Sequence, residues 1–197
     1  RRPVKPADIA ILVRTNKRGR TVADALRAAG ITAVFSGTGS VFQSEAAKDW
    51  VRLLEAMNDP TSATVRRASL TAFFGLDVPA LSKLDEQQVA EMAMLVKSLA
   101  QMMEHRGVAA AFAEVCDARR VVARVVGQAD GERRLTDLRH LAQLLHERQR
   151  SSGDGSAGLL AWLRERLADH GDAEEGTRRL ESDRQAVQVM TVHRAKG

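Results

Sequence analysis

The apolar pattern of the chain changes period twice. Ile9-Ala10-Ile11-Leu12-Val13 is a short unbroken apolar run, the form of a strand covered on both faces, as in a parallel sheet. Arg14 to Gly19 is polar and basic and predicts a loop. Thr21 and Asp24 have the spacing of a capping box, which predicts a helix through Ala25, Leu26 and Ala29. Gly30 supplies the residue that ends it. Ile31 to Phe35 predicts a second strand, parallel to the first through a right-handed crossover.

After Ser36-Gly37-Thr38-Gly39-Ser40, a loop, the period becomes helical from Val41 to about Leu180. Trp50, Leu53, Leu54 and Met57 form one amphipathic stripe. Val65, Ala68, Leu70 and Phe73-Phe74 predict another helix, stopped at Gly75. Asp77 caps a short helix with Pro79 in its first turn. Asp85, with Gln88 at the box position, opens a long helix carrying Val89, Met92, Val96, Leu99 and Met103. Gly107 breaks it, and Val108 to Val126 resumes in one or two pieces. Leu135, Leu138, Leu141 and Leu145 stripe a further helix. Ser151 to Gly158 reads as a flexible Gly/Ser/Asp linker, and Leu159 to Leu167 as the last clear helix. Val187 to Val192 alternates and predicts a strand.

The chain thus runs from sheet through helices back to sheet. The fold class expected is α/β with a large all-α insertion, mostly α overall. Residues 1–40 are the first part of a parallel-sheet domain, 41–182 the insertion and 183–197 the return strand. Such an insertion requires its two ends to lie close together.

Length and composition narrow this further. A chain of 197 residues buries roughly 70% of its unfolded surface, so it needs no disulfide or metal staple. Cys116 is the single cysteine, which excludes an internal disulfide or a cysteine metal cluster. Its neighbours Phe112 and Val115 predict a buried, inert thiol. No apolar run approaches the ~20 residues of a membrane span, and Arg1 to Pro6 lacks the apolar core of a signal peptide. The expectation is a cytoplasmic protein. A start without Met and an abrupt end at Lys196-Gly197 give the expectation of an internal piece of a longer chain. The net charge of +5 and pI of about 10.0 fit a nucleic-acid partner, and equally fit an arginine-rich composition.

The chemistry-bearing residues are few. No G-x-x-x-x-G-K-[ST] string occurs, so the chain alone has no cradle for ATP phosphates. Gly37-Thr38-Gly39 is too short for a dinucleotide fingerprint and reads as a turn. Glu174-Glu175 reads as surface charge. His105, His140, His146 and His170 are scattered on helices, so no metal site and no complete catalytic site is expected. Two loops stand out, because ligands of a parallel sheet bind beyond the carboxyl ends of its strands. Arg14-Thr15-Asn16 follows the first strand and His193-Arg194-Ala195-Lys196-Gly197 the last. If the strands are parallel, Arg14, Lys17, Arg18, His193, Arg194 and Lys196 gather on one rim, where a phosphate chain would lie.

Val187 to Gly197 resembles motif V of the UvrD-like superfamily 1 helicases, and Asp8 to Asn16 resembles their motif IVa. The order of the two and the helical span between them resemble the second RecA-like motor domain (2A) of that family with its 2B insertion. Within the insertion, Ser40-Val41-Phe42-Gln43, Gly131-Glu132-Arg133-Arg134-Leu135-Thr136-Asp137-Leu138 and Leu180-Glu181-Ser182-Asp183 resemble the RecB branch.

The resemblance implies a parent that is an ATP-dependent DNA helicase and exodeoxyribonuclease acting in double-strand break repair and recombination. It implies that Thr191, His193 and Arg194 lie against single-stranded DNA; His193 alternatively hydrogen-bonds its own loop. Lys196 and Gly197 would turn the chain toward nucleotide, with Arg14, Thr15 and Asn16 on the same rim. Arg133, Arg134 and Arg139 either touch duplex DNA or pair with Glu132, Asp137 or Glu147. ATP and Mg2+ would serve the parent, with none bound by this chain alone. Partners would be DNA and RecC-like and RecD-like subunits, with no membrane. The competing readings are a non-enzymatic helical protein-interaction module and the same region of a sister helicase without nuclease.

Overall fold

The computed structural model of the chain describes residues 3–35, 40–168 and 186–195. It divides into two compact units, Arg1–Gly39 with Thr177–Gly197, and Ser40–Gly176. The predicted segments Ser36 to Gly39, Leu180 to Asp183 and Lys196-Gly197, together with Glu174-Glu175 and His170, lie outside the described residues. Among the described residues no helix is long and apolar enough to cross a membrane.

The first unit is a three-stranded parallel sheet with one covering helix. Strands β1 (Ala10–Val13), β2 (Ala33–Phe35) and β3 (Val187–Thr191) are ordered β1-β3-β2. The returning strand therefore sits in the centre. Ala10 pairs with Gln188 and Val13 with Thr191 on one side; Ala33 pairs with Val187 and Phe35 with Val189 on the other. Helix α1 (Asn16–Ala28) packs on one face. Its Ala23, with Val22 and Leu26, closes on Val13, Phe35 and Val189.

Two expectations are corrected by this unit. Helix α1 begins at Asn16 because Thr15, six residues before the predicted cap Thr21, caps it by accepting a hydrogen bond from the Arg18 N–H at 3.3 Å. Gly19 sits inside the helix instead of ending a loop, since the Phe35 ring occupies the space a Cβ would need. Strand β1 is not covered on both faces. Val13 is buried, whereas Leu12 is 55% exposed.

The second unit is helical: α2 (Glu45–Asn58), α3 (Ser62–Ser69), α4 (Val78–Ser82), α5 (Glu86–Arg106), α6 (Val108–Ala118), α7 (Val121–Val126), α8 (Gly131–Ser152) and α9 (Ser156–Ala168). The stripes read from the sequence face inward. Trp50, Leu53, Leu54, Val96, Leu99, Leu138, Leu141, Leu145, Leu159 and Leu163 are buried in one core. Burying each such side chain contributes about 1.5–3 kcal/mol. Trp50 meets Phe73 edge-on with centroids 5.0 Å apart, and its indole N–H donates to the Leu138 carbonyl at 3.1 Å.

The predicted caps form: Asp77 accepts from the Ala80 N–H at 2.7 Å, and Asp85 and Gln88 complete a capping box. Gly107, with φ of 86°, separates α5 from α6. Gln149 secures that break by accepting from Val108 N–H at 2.9 Å and donating to Met103 carbonyl at 3.1 Å.

Two predicted boundaries shift. The helix expected to run to Gly75 ends at Ser69, and residues 70–75 form a turn. Ser69 donates its hydroxyl back to the Val65 carbonyl at 2.8 Å, and the Leu76 N–H returns to the Ser69 carbonyl. Phe73 and Phe74 reach the core from this turn. Nor is Ser151 to Gly158 a flexible linker. Helix α8 continues to Ser152, Gly153 closes it with φ of 70°, and α9 starts at Ser156. Arg148 donates to the Asp154 carboxylate at 2.9 Å across this short connection.

Candidate nucleic-acid interface

Strands β1 and β3 end side by side, with Val13 opposite Thr191. Each runs directly into a helix. Strand β1 gives way to Arg14 and Thr15 and then α1; β3 gives way to α10 (Val192–Ala195). Because the strands are parallel, the backbone of both segments opens on one carboxyl-end rim. Among the described residues this register sets the backbone of Arg14 and Thr15 beside the end of β3 at Thr191.

Arg14 and Thr15 are exposed there and Thr191 is half-buried. Among the described residues neither the Arg14 guanidinium nor the Thr191 hydroxyl has a hydrogen-bond or ionic partner. Thr15 already accepts from Arg18 N–H, so its hydroxyl holds the helix. The backbones of Asn16, His193 and Arg194 lie in α1 and α10. Lys196 and Gly197 lie outside the described residues.

The three arginines predicted on α8 separate. Arg134 turns inward and donates to the Asp49 carboxylate of α2 at 2.7 Å, not to Glu132, Asp137 or Glu147. Asp49 also accepts the Ala72 N–H at 3.2 Å. Its burial pushes the carboxyl above the ordinary aspartate value of 3.8, against the opposing pull of the Arg134 hydrogen bond. Arg133 and Arg139 stay exposed, without an ion-pair partner among the described residues.

The string Gly131 to Leu138 is a structural junction. A Cβ on Gly131 would collide with the Val125 carbonyl oxygen. Leu135, Asp137 and Leu138 are buried, and Arg134 ties the helix to α2. Asp49 itself was not singled out in the sequence. It falls on the apolar face of α2 beside Trp50, and a lone acidic residue among core positions was the available signal. Cys116 is half-buried against the core, and burial pushes its thiol up, in keeping with an inert role.

No family model matches the chain. The chain is similar over its full length, at 44% identity, to the RecBCD enzyme subunit RecB of Mycobacterium tuberculosis, and it spans 18% of that protein. It is 41% identical over 196 residues to the RecB of Mycolicibacterium smegmatis, again spanning 18%. It is 32% identical over 201 residues to the RecB of Escherichia coli, of which it spans 17%.

Proposed function

We propose that this chain, which matches one segment of RecB proteins at up to 44% identity over its full length, forms part of an ATP-driven, DNA-unwinding motor. In this reading residues 1–40 and 183–197 belong to a RecA-like domain, and residues 41–182 are its helical insertion. The parent acts on DNA at double-strand breaks, together with RecC-like and RecD-like subunits, in the cytoplasm.

The observation that supports this reading is the central, parallel β3, whose Thr191 ends opposite Val13. That arrangement aligns the Arg14 segment and the His193 segment along one edge, the edge at which parallel sheets bind ligands. Thr191, His193 and Arg194 meet the backbone of single-stranded DNA, and Arg14 adds charge beside them. Residues Lys196 and Gly197 carry the chain on toward the nucleotide. One short segment thereby links a DNA contact to the nucleotide side of the motor.

ATP hydrolysis supplies the free energy in the parent. The chain has no phosphate cradle, and Thr15 uses its hydroxyl on its own helix. The phosphate cradle of the ATP–Mg2+ site therefore rests on other segments, and this chain supplies the DNA side and the approach to the nucleotide. Arg133 and Arg139 are free to face duplex DNA, while Arg134 serves the helical core.

The test is single-stranded DNA binding by the full-length protein carrying Thr191→Val, which removes a hydroxyl at nearly constant volume. Loss of one hydrogen bond to a charged phosphate corresponds to about 1.5–3 kcal/mol, so an affinity decrease of at least about tenfold is expected. Unchanged affinity, or partner-protein binding insensitive to salt with no DNA affinity at all, would replace this reading with a helical protein-interaction module.

A further inference from the structure

The corner between α6 and α7 holds an open hollow of about 550 Å³ lined by Ala118, Arg119, Arg120, Ala123 and Arg124. Its chemistry is one-sided: three arginines surround two small apolar residues, and no carboxylate lines it. Among the described residues none of the three arginines pairs with an acid. Asp117, the acidic residue nearest in sequence, makes no ion pair among them either.

The cluster is held in place. Arg124 donates to the Arg119 carbonyl and to the Ala72 carbonyl, both at 2.6 Å, and to the Phe73 carbonyl at 3.1 Å. Arg119 stacks over the Phe74 ring at 5.4 Å, which fixes its plane. Arg120 has φ of 47° and ψ of 42°, a left-handed conformation that costs a non-glycine residue about 1–2 kcal/mol. Strain of that kind gathers at binding sites.

The hydrogen-bond inventory of these arginines is left partly open, although the Arg124 Nε packs against Gly75. The guanidinium groups of Arg119 and Arg120 donate to no other group among the described residues, and the Nε atoms of Arg119 and Arg124 are buried without a partner. Buried donors of that kind call for an acceptor. Burial, and after it the neighbouring Arg119 and Arg134, hold the Arg124 guanidinium below its ordinary value, so an anion would relieve repulsion already present.

We propose that this hollow is an oxyanion seat for a phosphodiester group of duplex DNA, formed by Arg119, Arg120 and Arg124. Arginine forks match phosphate oxygens two at a time. The hollow opens to the surface, so a phosphate can enter while the strand on either side of it stays in solvent. A closed pocket would suit a free ion instead. The proposal rests on the reading that the helical unit faces duplex DNA, and it adds a contact distinct from Arg133 and Arg139.

The experiment uses the 197-residue chain and a variant carrying Arg119→Gln and Arg120→Gln. Neither guanidinium hydrogen-bonds to the fold, so the melting temperature should fall only slightly, through the lost Arg119 stack on Phe74, and Arg124 is left intact because it ties three carbonyls. Binding to a short blunt DNA duplex is measured across a salt series. The slope of log affinity against log salt is expected to fall by about 1 for each arginine removed, with affinity at low salt down at least about tenfold. Arg150→Gln, at the far end of α8, should change neither.

The arginine Nε–Hε resonances of Arg119 and Arg124 provide the second readout. They should move on adding the duplex at concentrations where inorganic phosphate alone has little effect. A duplex-binding wild type whose double variant keeps the same affinity and slope overturns the seat. Resonances that respond to inorganic phosphate but not to duplex overturn its assignment to DNA. The Thr191→Val measurement on single-stranded DNA reads the motor assignment separately, so the two can fail independently.

Discussion

At the scale of single residues, the buried acid Asp49 carries the most information about how the helical unit holds together. Its side chain is 3% exposed and lies 2.7 Å from Arg134. Removing the carboxylate leaves the Ala72 N–H without its acceptor and Arg134, 31% exposed, without its ion-pair partner, at a cost of about 1–3 kcal/mol, so Asp49→Ala should lower the urea midpoint. Its pH dependence runs opposite to that of most carboxylates. The folded-state carboxyl titrates above the 3.8 of the free group, so the folded chain holds its proton where the unfolded chain has released it. Stability linked to Asp49 therefore falls as pH rises from 3.8 through the raised value, and is constant beyond it. The stability difference between wild type and Asp49→Asn, measured across that window, should shift toward the Asn variant with rising pH. A shift in the other direction would mean that Arg134 outweighs burial.

At the scale of elements, the start of α8 is set by a fold constraint. Gly131 starts the helix against the Val125 carbonyl, which fills the place a Cβ would take. Backbone cannot swing away as a side-chain tip can. Gly131→Ala should then cost about 1–3 kcal/mol by overpacking, read as a lower melting temperature with unchanged helix content in the native state. An Ala variant as stable as the wild type would show that α7 and α8 can part freely. Helix α1 teaches the reverse lesson. Its first turn is polar and contains Gly19, features that predict a loop, yet Thr15 caps it and Phe35 fills the place of the missing side chain. The Thr15 cap sets where that helix begins, and the contact with Phe35, beyond the helix and its following turn, suits a glycine inside it.

At the scale of the whole molecule, the sheet unit exposes apolar side chains at and beside β1. Leu12 is 55% and Ile9 42% exposed, and β1 is an edge strand. Unpaired edges with apolar side chains invite pairing with another chain. The 197-residue chain is expected to self-associate at high concentration, and Leu12→Lys should suppress this in light scattering without lowering the melting temperature. Equal association by the Lys variant would place the sticky surface elsewhere.

The amphipathic stripes of α2, α5, α8 and α9, the Asp77 and Asp85 caps and the break at Gly107 were legible in the sequence. Local spacing alone decides which face of a helix is apolar and which side chain reaches a free N–H. The strand identity of Val187 to Thr191 was legible for the same reason. Tertiary structure decided the rest. It put β3 between β1 and β2, since strand order depends on pairing between residues at opposite ends of the chain. It took Arg134 out of the exposed set by giving it Asp49, and it assembled Arg119, Arg120 and Arg124 around one hollow. Charge is visible residue by residue, but whether a charge meets a partner or an open surface depends on which distant segments folding brings against it.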